Sequence, residues 1–332
     1  MNLNFKTTMN KILNHIHINK IILFFVLSIP LLFTACEKNV FFDVDTKENL
    51  LVVNSIIQPD SIAIVRVTLS VDPLAIDYEF TPVEDATISI YRNELFAGDL
   101  ANDGDGNYSI APGILNAQPG DAMRMEVSAP GRTSVNATTT IPKLVSIESV
   151  EITDTIFENV SYSYIDSLGN YYTIDTIVPH YELQIKFHDL PGEDFYSLEI
   201  RYEDAYSEVG ACFTTDDPVF TIDGSYGFDP GDADNNVTIC GEVYFTDATF
   251  DNSEKIMTVS VLEISTEFIT DPKLIFRLDH ISKDYYSYNA SLQLQVQNND
   301  NPFSEPVPVF SNIVNGFGIF GGLSSSSVEL EL

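Results

Sequence analysis

Apolar side chains at every second position recur through most of this chain, and no other feature constrains its fold as strongly. Tyr181, Leu183, Ile185 and Phe187 alternate with Glu182, Gln184, Lys186 and His188. Met123, Met125, Val127 and Ala129 alternate with Arg124, Glu126 and Ser128. Thr87 to Tyr91, Leu198 to Tyr202, Met257 to Val261 and Leu274 to Leu278 repeat the pattern. A period of two sends successive side chains to opposite faces of an extended backbone, so each segment predicts a strand with one face buried. One segment breaks the rhythm. Ser282 can cap a helix that places Tyr285, Tyr288, Leu292 and Val296 on one face, with Asp284 near the positive end of its dipole.

The turns sharpen this. Pro82-Val83-Glu84-Asp85-Ala86 leads into a strand, Asn102-Asp103-Gly104-Asp105-Gly106-Asn107 suits a tight hairpin turn, and Ala129-Pro130-Gly131 follows the next strand. Short strands at such spacing predict a β-sandwich. The turns resemble those of the small transthyretin-like and carboxypeptidase-regulatory sandwiches. The expected fold is therefore mainly β: an Ig-like or transthyretin-like sandwich over 50–142, then a second β-rich domain over 143–332 with one C-terminal helix. Ile141-Pro142-Lys143 marks the expected boundary.

Residues 1–35 read as a leader. Lys6, Lys11 and Lys20 precede an apolar run from Ile21 to Phe33, too short to span a bilayer as a helix. The run meets Phe33-Thr34-Ala35-Cys36, a lipobox with Phe where Leu is usual. Cys36 is then expected to carry lipid as the mature N-terminus, with residues 36–49 as a tether. That implies export and an outer-membrane anchor facing either the periplasm or the medium.

The chain has 49 Asp and Glu against 16 Lys and Arg, a formal net charge of −33, and the leader holds none of the acids. Such a field repels nucleic acid, which is excluded as a partner. Cys212 and Cys240 are the only other cysteines, and an even pair in an oxidising compartment predicts a disulfide. Between them, Asp229, Asp232 and Asp234 concentrate hard oxygen donors in a glycine-containing loop: a solvated acidic loop stapled by the disulfide or, as the alternative, a calcium loop. No other cofactor is expected.

Catalytic motifs are missing from the sequence. There is no Gly-x-Ser-x-Gly, His-Glu-x-x-His or phosphate loop. His180 and His188, about 27 Å apart on an extended strand, cannot share a metal. Paired carboxylates could serve a glycosidase, but so many acids make chance pairs inevitable. No enzyme is expected. Asp60-Ser61-Ile62, Asp154-Thr155-Ile156, Asp166-Ser167-Leu168 and Asp175-Thr176-Ile177 fit an acceptor pattern for periplasmic O-glycosylation in Bacteroidota.

Several motifs together resemble the Bacteroidota lipoproteins catalogued as domain of unknown function 4249. They are the lipobox, Leu51-Val52-Val53-Asn54, Asp105-Gly106-Asn107-Tyr108, Ser128-Ala129-Pro130-Gly131 and Thr139-Thr140-Ile141-Pro142. The most specific part is the tail: Asn301-Pro302-Phe303-Ser304-Glu305-Pro306-Val307, then Ser311-Asn312-Ile313, Asn315-Gly316 and Gly318-Ile319-Phe320-Gly321. The resemblance carries no catalytic residues. It implies a genetic neighbourhood with TonB-dependent outer-membrane receptors, hence an accessory binding subunit of an uptake system. A structural or adhesive surface lipoprotein is the alternative. In the tail, Phe303, Phe310, Phe317 and Phe320 are either docking anchors for such a receptor or residues that close the C-terminal sheet.

Overall fold

The alternating segments are strands in a computed structural model of the chain, which describes residues 49–71, 80–165, 169–203, 208–220, 237–262, 273–299 and 307–332. In chain order the first eight are β1 (Leu51–Ile57), β2 (Ala63–Leu69), β3 (Thr87–Arg92), β4 (Leu95–Asp99), β5 (Ala101–Gly104), β6 (Asn107–Ile110), β7 (Ala122–Ser128) and β8 (Val135–Thr140). Then come β9 (Ile147–Ile165), β10 (Tyr171–His188), β11 (Phe195–Glu203), β12 (Glu208–Gly210) and β13 (Cys212–Thr215). The series ends with β14 (Val237–Cys240), β15 (Val243–Thr246), β16 (Glu254–Leu262), β17 (Lys273–Ile281) and β18 (Phe317–Glu331). A helix, Lys283–Asn299, lies between β17 and β18. The fold is mainly β with a C-terminal helix, as the alternation predicts.

Two apolar cores organise the strands. In the first, Leu51, Val53, Val65 and Val67 pack against Ile88, Ile90, Met123, Met125 and Val127. These come from sheet order β1-β2-β6-β5 on one side and the four-stranded sheet β4-β3-β7-β8 on the other. In the second core, Leu198, Ile200, Leu274 and Phe276 pack against Leu183, Ile185, Phe187, Met257 and Val259. Here β12-β11-β17 faces the five-stranded sheet β14-β13-β16-β10-β9, with β15 also pairing β11. Burying each such side chain stabilises the fold by roughly 1.5–3 kcal/mol relative to exposure. The hairpin expected at Asp103–Gly106 forms between β5 and β6, and Gly104, Asp105 and Gly106 all take positive φ.

The last strand ties the two cores together. Phe317–Gly322 of β18 runs parallel to β1, from Val52↔Phe317 to Ile57↔Gly322. Leu323–Glu331 then runs antiparallel to β17, from Ile281↔Leu323 to Lys273↔Glu331. One strand thereby completes both sandwiches, and the nine-stranded sheet is continuous through it. Its entry depends on Gly318, which has φ +111°, and where a Cβ would overlap the Val53 carbonyl. All described residues belong to one compact unit, Lys47–Leu332.

Ser282 begins the helix, as its sequence position predicts. Its Oγ accepts a long hydrogen bond from the Tyr285 amide at 3.4 Å and another from the Gly322 amide at 3.2 Å. Its own amide donates to the Gly322 carbonyl at 2.8 Å, so the cap also grips β18. Along the expected apolar face Tyr285 and Tyr288 are half-buried, whereas Leu292 and Val296 are exposed.

Candidate functional site

The longest strands in the fold outrun their own core. β9 and β10 pair from Ile147↔Phe187 out to Ile165↔Tyr171. Among the described residues, β16 pairs the other side of β10 from His188 to His180. The next residue outward is Pro179, which has no N–H to donate, and β16 is described as far as Leu262, opposite His180. Inside that point Leu183, Ile185 and Phe187 are fully buried. Outside it the hairpin is an arm of about 26 Å from Pro179 to Tyr171 at ~3.3 Å per residue.

That arm carries exposed apolar residues on both faces, among polar ones such as Ser161, Ser163, Thr173 and Asp175. Phe157, Ile165, Tyr171 and Ile177 are each more than 60% exposed, and Ile156, Tyr172 and Ile174 are exposed as well. Between Ile152 and Tyr181 there is no lysine or arginine, while Asp154, Glu158 and Asp175 are present. His180 Nε2 lies 3.1 Å from Glu158 Oε2 across the pair. Exposed apolar surface of this extent is uncommon on a soluble monomer and marks a contact surface.

The residues singled out in the sequence fare differently. Cys212 and Cys240 are bonded to each other and stand opposite one another on β13 and β14. Cys36, Asp229, Asp232, Asp234 and Phe303 lie outside the described residues. Phe310 is half-buried, and its amide donates to Ser291 Oγ of the helix at 2.8 Å. Phe317 is 41% exposed at the start of β18. Phe320 is not a docking anchor: it is fully buried and belongs to the first core. The inward pleat of β18 sets its direction, and a partner has no access to it.

A second constellation combines residues from two separate turns. Asp189 and Asp194 bracket the β10–β11 turn, and Asp247 follows β15. One carboxylate oxygen from each lies within 4.8 Å of the others. Asp189 Oδ1 accepts from the buried Tyr196 hydroxyl, and its Oδ2 accepts from the Asn252 amide at 2.8 Å. Asp194 Oδ1 lies 3.0 Å from His280 Nε2, whose Nδ1 donates to the Lys143 carbonyl at 2.8 Å. Burial pushes the Asp189, Asp194 and Asp247 carboxyls above the usual aspartate range, and neighbouring carboxylates add to the effect. Phe187, Phe245 and His280 surround the Tyr196 ring at centroid distances of 4.9–5.6 Å, forming an apolar floor. Asp194 and His280 also line a cleft of about 380 Å³, with Lys143, Glu193 and Lys283.

A family model described as a domain of unknown function, DUF4249, matches residues 37–329. The chain belongs to that family. A comparison with curated proteins found no match. The matched region of this DUF4249 protein takes in both cores, the arm and nearly all of β18.

Neither the arm nor the carboxylate cluster has a local motif in the DUF4249 sequence. The cluster draws on two turns that come together only once β15 has paired with β11, so no spacing announces it. The arm mixes apolar, aromatic and β-branched residues as core strands do.

Proposed function

We propose that this DUF4249 protein is a non-catalytic outer-membrane lipoprotein, anchored through Cys36, that docks through its β9–β10 arm onto a TonB-dependent β-barrel receptor as an accessory subunit of an uptake system. The observation that carries the reading is the arm itself. It exposes Phe157, Ile165, Tyr171 and Ile177 well beyond the core that stabilises its base. Exposed apolar side chains stand on both faces of these strands, although Val178 at the base is buried, and large aromatic anchors are the residues on which interfaces concentrate their energy. The lipobox and the family's motifs supply the setting, a membrane surface shared with barrel receptors.

The test is recovery of the partner from the membranes of the bacterium that encodes the chain. Full-length protein is compared with a variant in which residues 155–179 are replaced by a two-residue turn. The wild type is expected to bring down a β-barrel receptor, identified by mass spectrometry. The shortened variant is expected to keep its melting temperature and lose the receptor. A shortened variant that still recovers the barrel, or a wild type that recovers none, refutes the reading. So does an arm that proves to hold two copies of the chain together instead.

A further inference from the structure

We infer that Asp189, Asp194 and Asp247 form a calcium site that pins the β10–β11 turn to the β15–β16 turn. Acidic clusters on a surface this acidic mean little alone, and the deciding observation is what happens to their oxygens. Asp247 is only 4% exposed, yet its Oδ2 has no hydrogen-bond partner. Asp194 Oδ2 is likewise buried and unpartnered. A buried carboxylate oxygen without a partner costs far more than a neutral polar atom, and folds rarely tolerate it. Here two such oxygens belong to carboxylates that converge with a third.

The surrounding charges do not relieve them. Asp251 adds a fourth carboxylate close by, with its Oδ1 accepting from the Gly192 amide at 3.0 Å. His280 faces Asp194 alone, and Lys283 Nζ is engaged by Glu193 at 2.7 Å. A divalent cation between the three aspartates would satisfy the orphaned oxygens and offset the repulsion together.

Geometry and chemistry select calcium. Calcium holds oxygens at about 2.3–2.6 Å, so two ligands on opposite sides of one ion stand at most about 5 Å apart. The 4.8 Å span of these carboxylates fits inside that sphere. The donors are all hard oxygens, and the one nearby imidazole nitrogen is already turned to Asp194. Zinc favours nitrogen and sulfur, and magnesium demands a tighter octahedron with more water. The cleft at Asp194 supplies both an entry path and room for water ligands.

Metal-stripped full-length protein is titrated with calcium chloride by calorimetry and thermal melting, with magnesium chloride alongside. One saturable calcium site and a raised melting temperature are expected, with at least tenfold weaker binding of magnesium. Asp247→Asn should abolish both the heat and the shift, and its metal-free form should melt no lower than the metal-free wild type, because a buried repulsive charge is gone. Asp194→Asn, at the more open edge of the cluster, should do the same and serves if Asp247→Asn does not fold. The triple variant Asp229→Asn, Asp232→Asn, Asp234→Asn should keep the response. No response in the wild type, a response that survives the Asp247 or Asp194 substitution, or one lost in the triple variant overturns the assignment.

Discussion

Asn312 and Phe320 exchange two hydrogen bonds. The Phe320 amide donates to Asn312 Oδ1 at 2.9 Å, and Asn312 Nδ2 donates to the Phe320 carbonyl at 2.8 Å. A side-chain amide here imitates a strand neighbour. It satisfies both backbone groups of a residue whose ring is buried in the first core. Asn312 Nδ2 also lies 3.0 Å from Asp284 Oδ2 in the first turn of the helix. The tail motif is thus a clasp joining helix, core and last strand, and its asparagine is structural.

Asn312→Ala removes the clasp and leaves two main-chain groups of a buried residue without their partner. A loss of roughly 1–3 kcal/mol is expected, read as a lower denaturant midpoint. Asn312→Asp keeps the acceptor for the Phe320 amide but loses the donor and sets a carboxylate against Asp284. It should therefore be the worse variant at neutral pH and recover on acidification. Equal stability of all three proteins at pH 7 would show that the clasp contributes nothing.

Much of the fold was legible because its signals are local. Period two gave the buried faces of β7, β10, β16 and β17, and Ser282 gave the start of the helix. The Asp-Gly run gave the β5–β6 turn. What escaped depends on partners distant in the chain. Nothing near Phe317–Glu331 says that its first residues pair with β1 while the rest pair with β17. Phe320 reads as an aromatic in a glycine-rich tail, and only that pairing turns it inward. The same limit hides the cluster of Asp189, Asp194 and Asp247. In the arm, Tyr171 and Ile177 are apolar residues of an extended strand just as Leu183 and Phe187 are. The difference is whether a second layer lies above them, which no strand carries in its own sequence.

Cys212 and Cys240, 28 residues apart, close a loop whose constraint on the unfolded chain is worth about 3–4 kcal/mol in the chain-entropy account. Both thiols should resist alkylation under native conditions until a reductant is added. Reduction should then lower the melting temperature, and Cys212→Ser with Cys240→Ser should reproduce that drop. Free thiols in the untreated protein, or a melt that reduction does not move, would contradict the bond.

A buried ion network on the outer side of β17 gives a pH-dependent test. Arg277 Nη2 lies 3.1 Å from Glu199 Oε2, and Arg277 Nε lies 3.1 Å from Asp279 Oδ2. Glu199 stands opposite Arg277 on β11, and Ser325, opposite Asp279 on β18, donates its hydroxyl to that carboxylate. Burial pushes the Asp279 carboxyl above the usual aspartate range despite the pull of Arg277. An acid whose folded pKa exceeds its unfolded value takes up a proton on folding. Its favourable contribution is complete below the unfolded value of about 3.9 and is lost as pH rises through the folded one. At neutral pH Asp279 is therefore a liability that Arg277 holds in check. Arg277→Ala should cost about 3 kcal/mol at pH 7, near the low end for a broken buried pair because the Arg277 side chain keeps 29% of its exposure. The deficit should shrink as pH falls and Asp279 takes up its proton. Adding Asp279→Asn to Arg277→Ala should recover part of the loss at pH 7 and make the remainder insensitive to pH. Urea denaturation of the four proteins at pH 7 and pH 5 decides it. A deficit constant across that range, and unchanged in the double variant, would mean that Arg277 acts through the packing of its aliphatic stem and not through its charge.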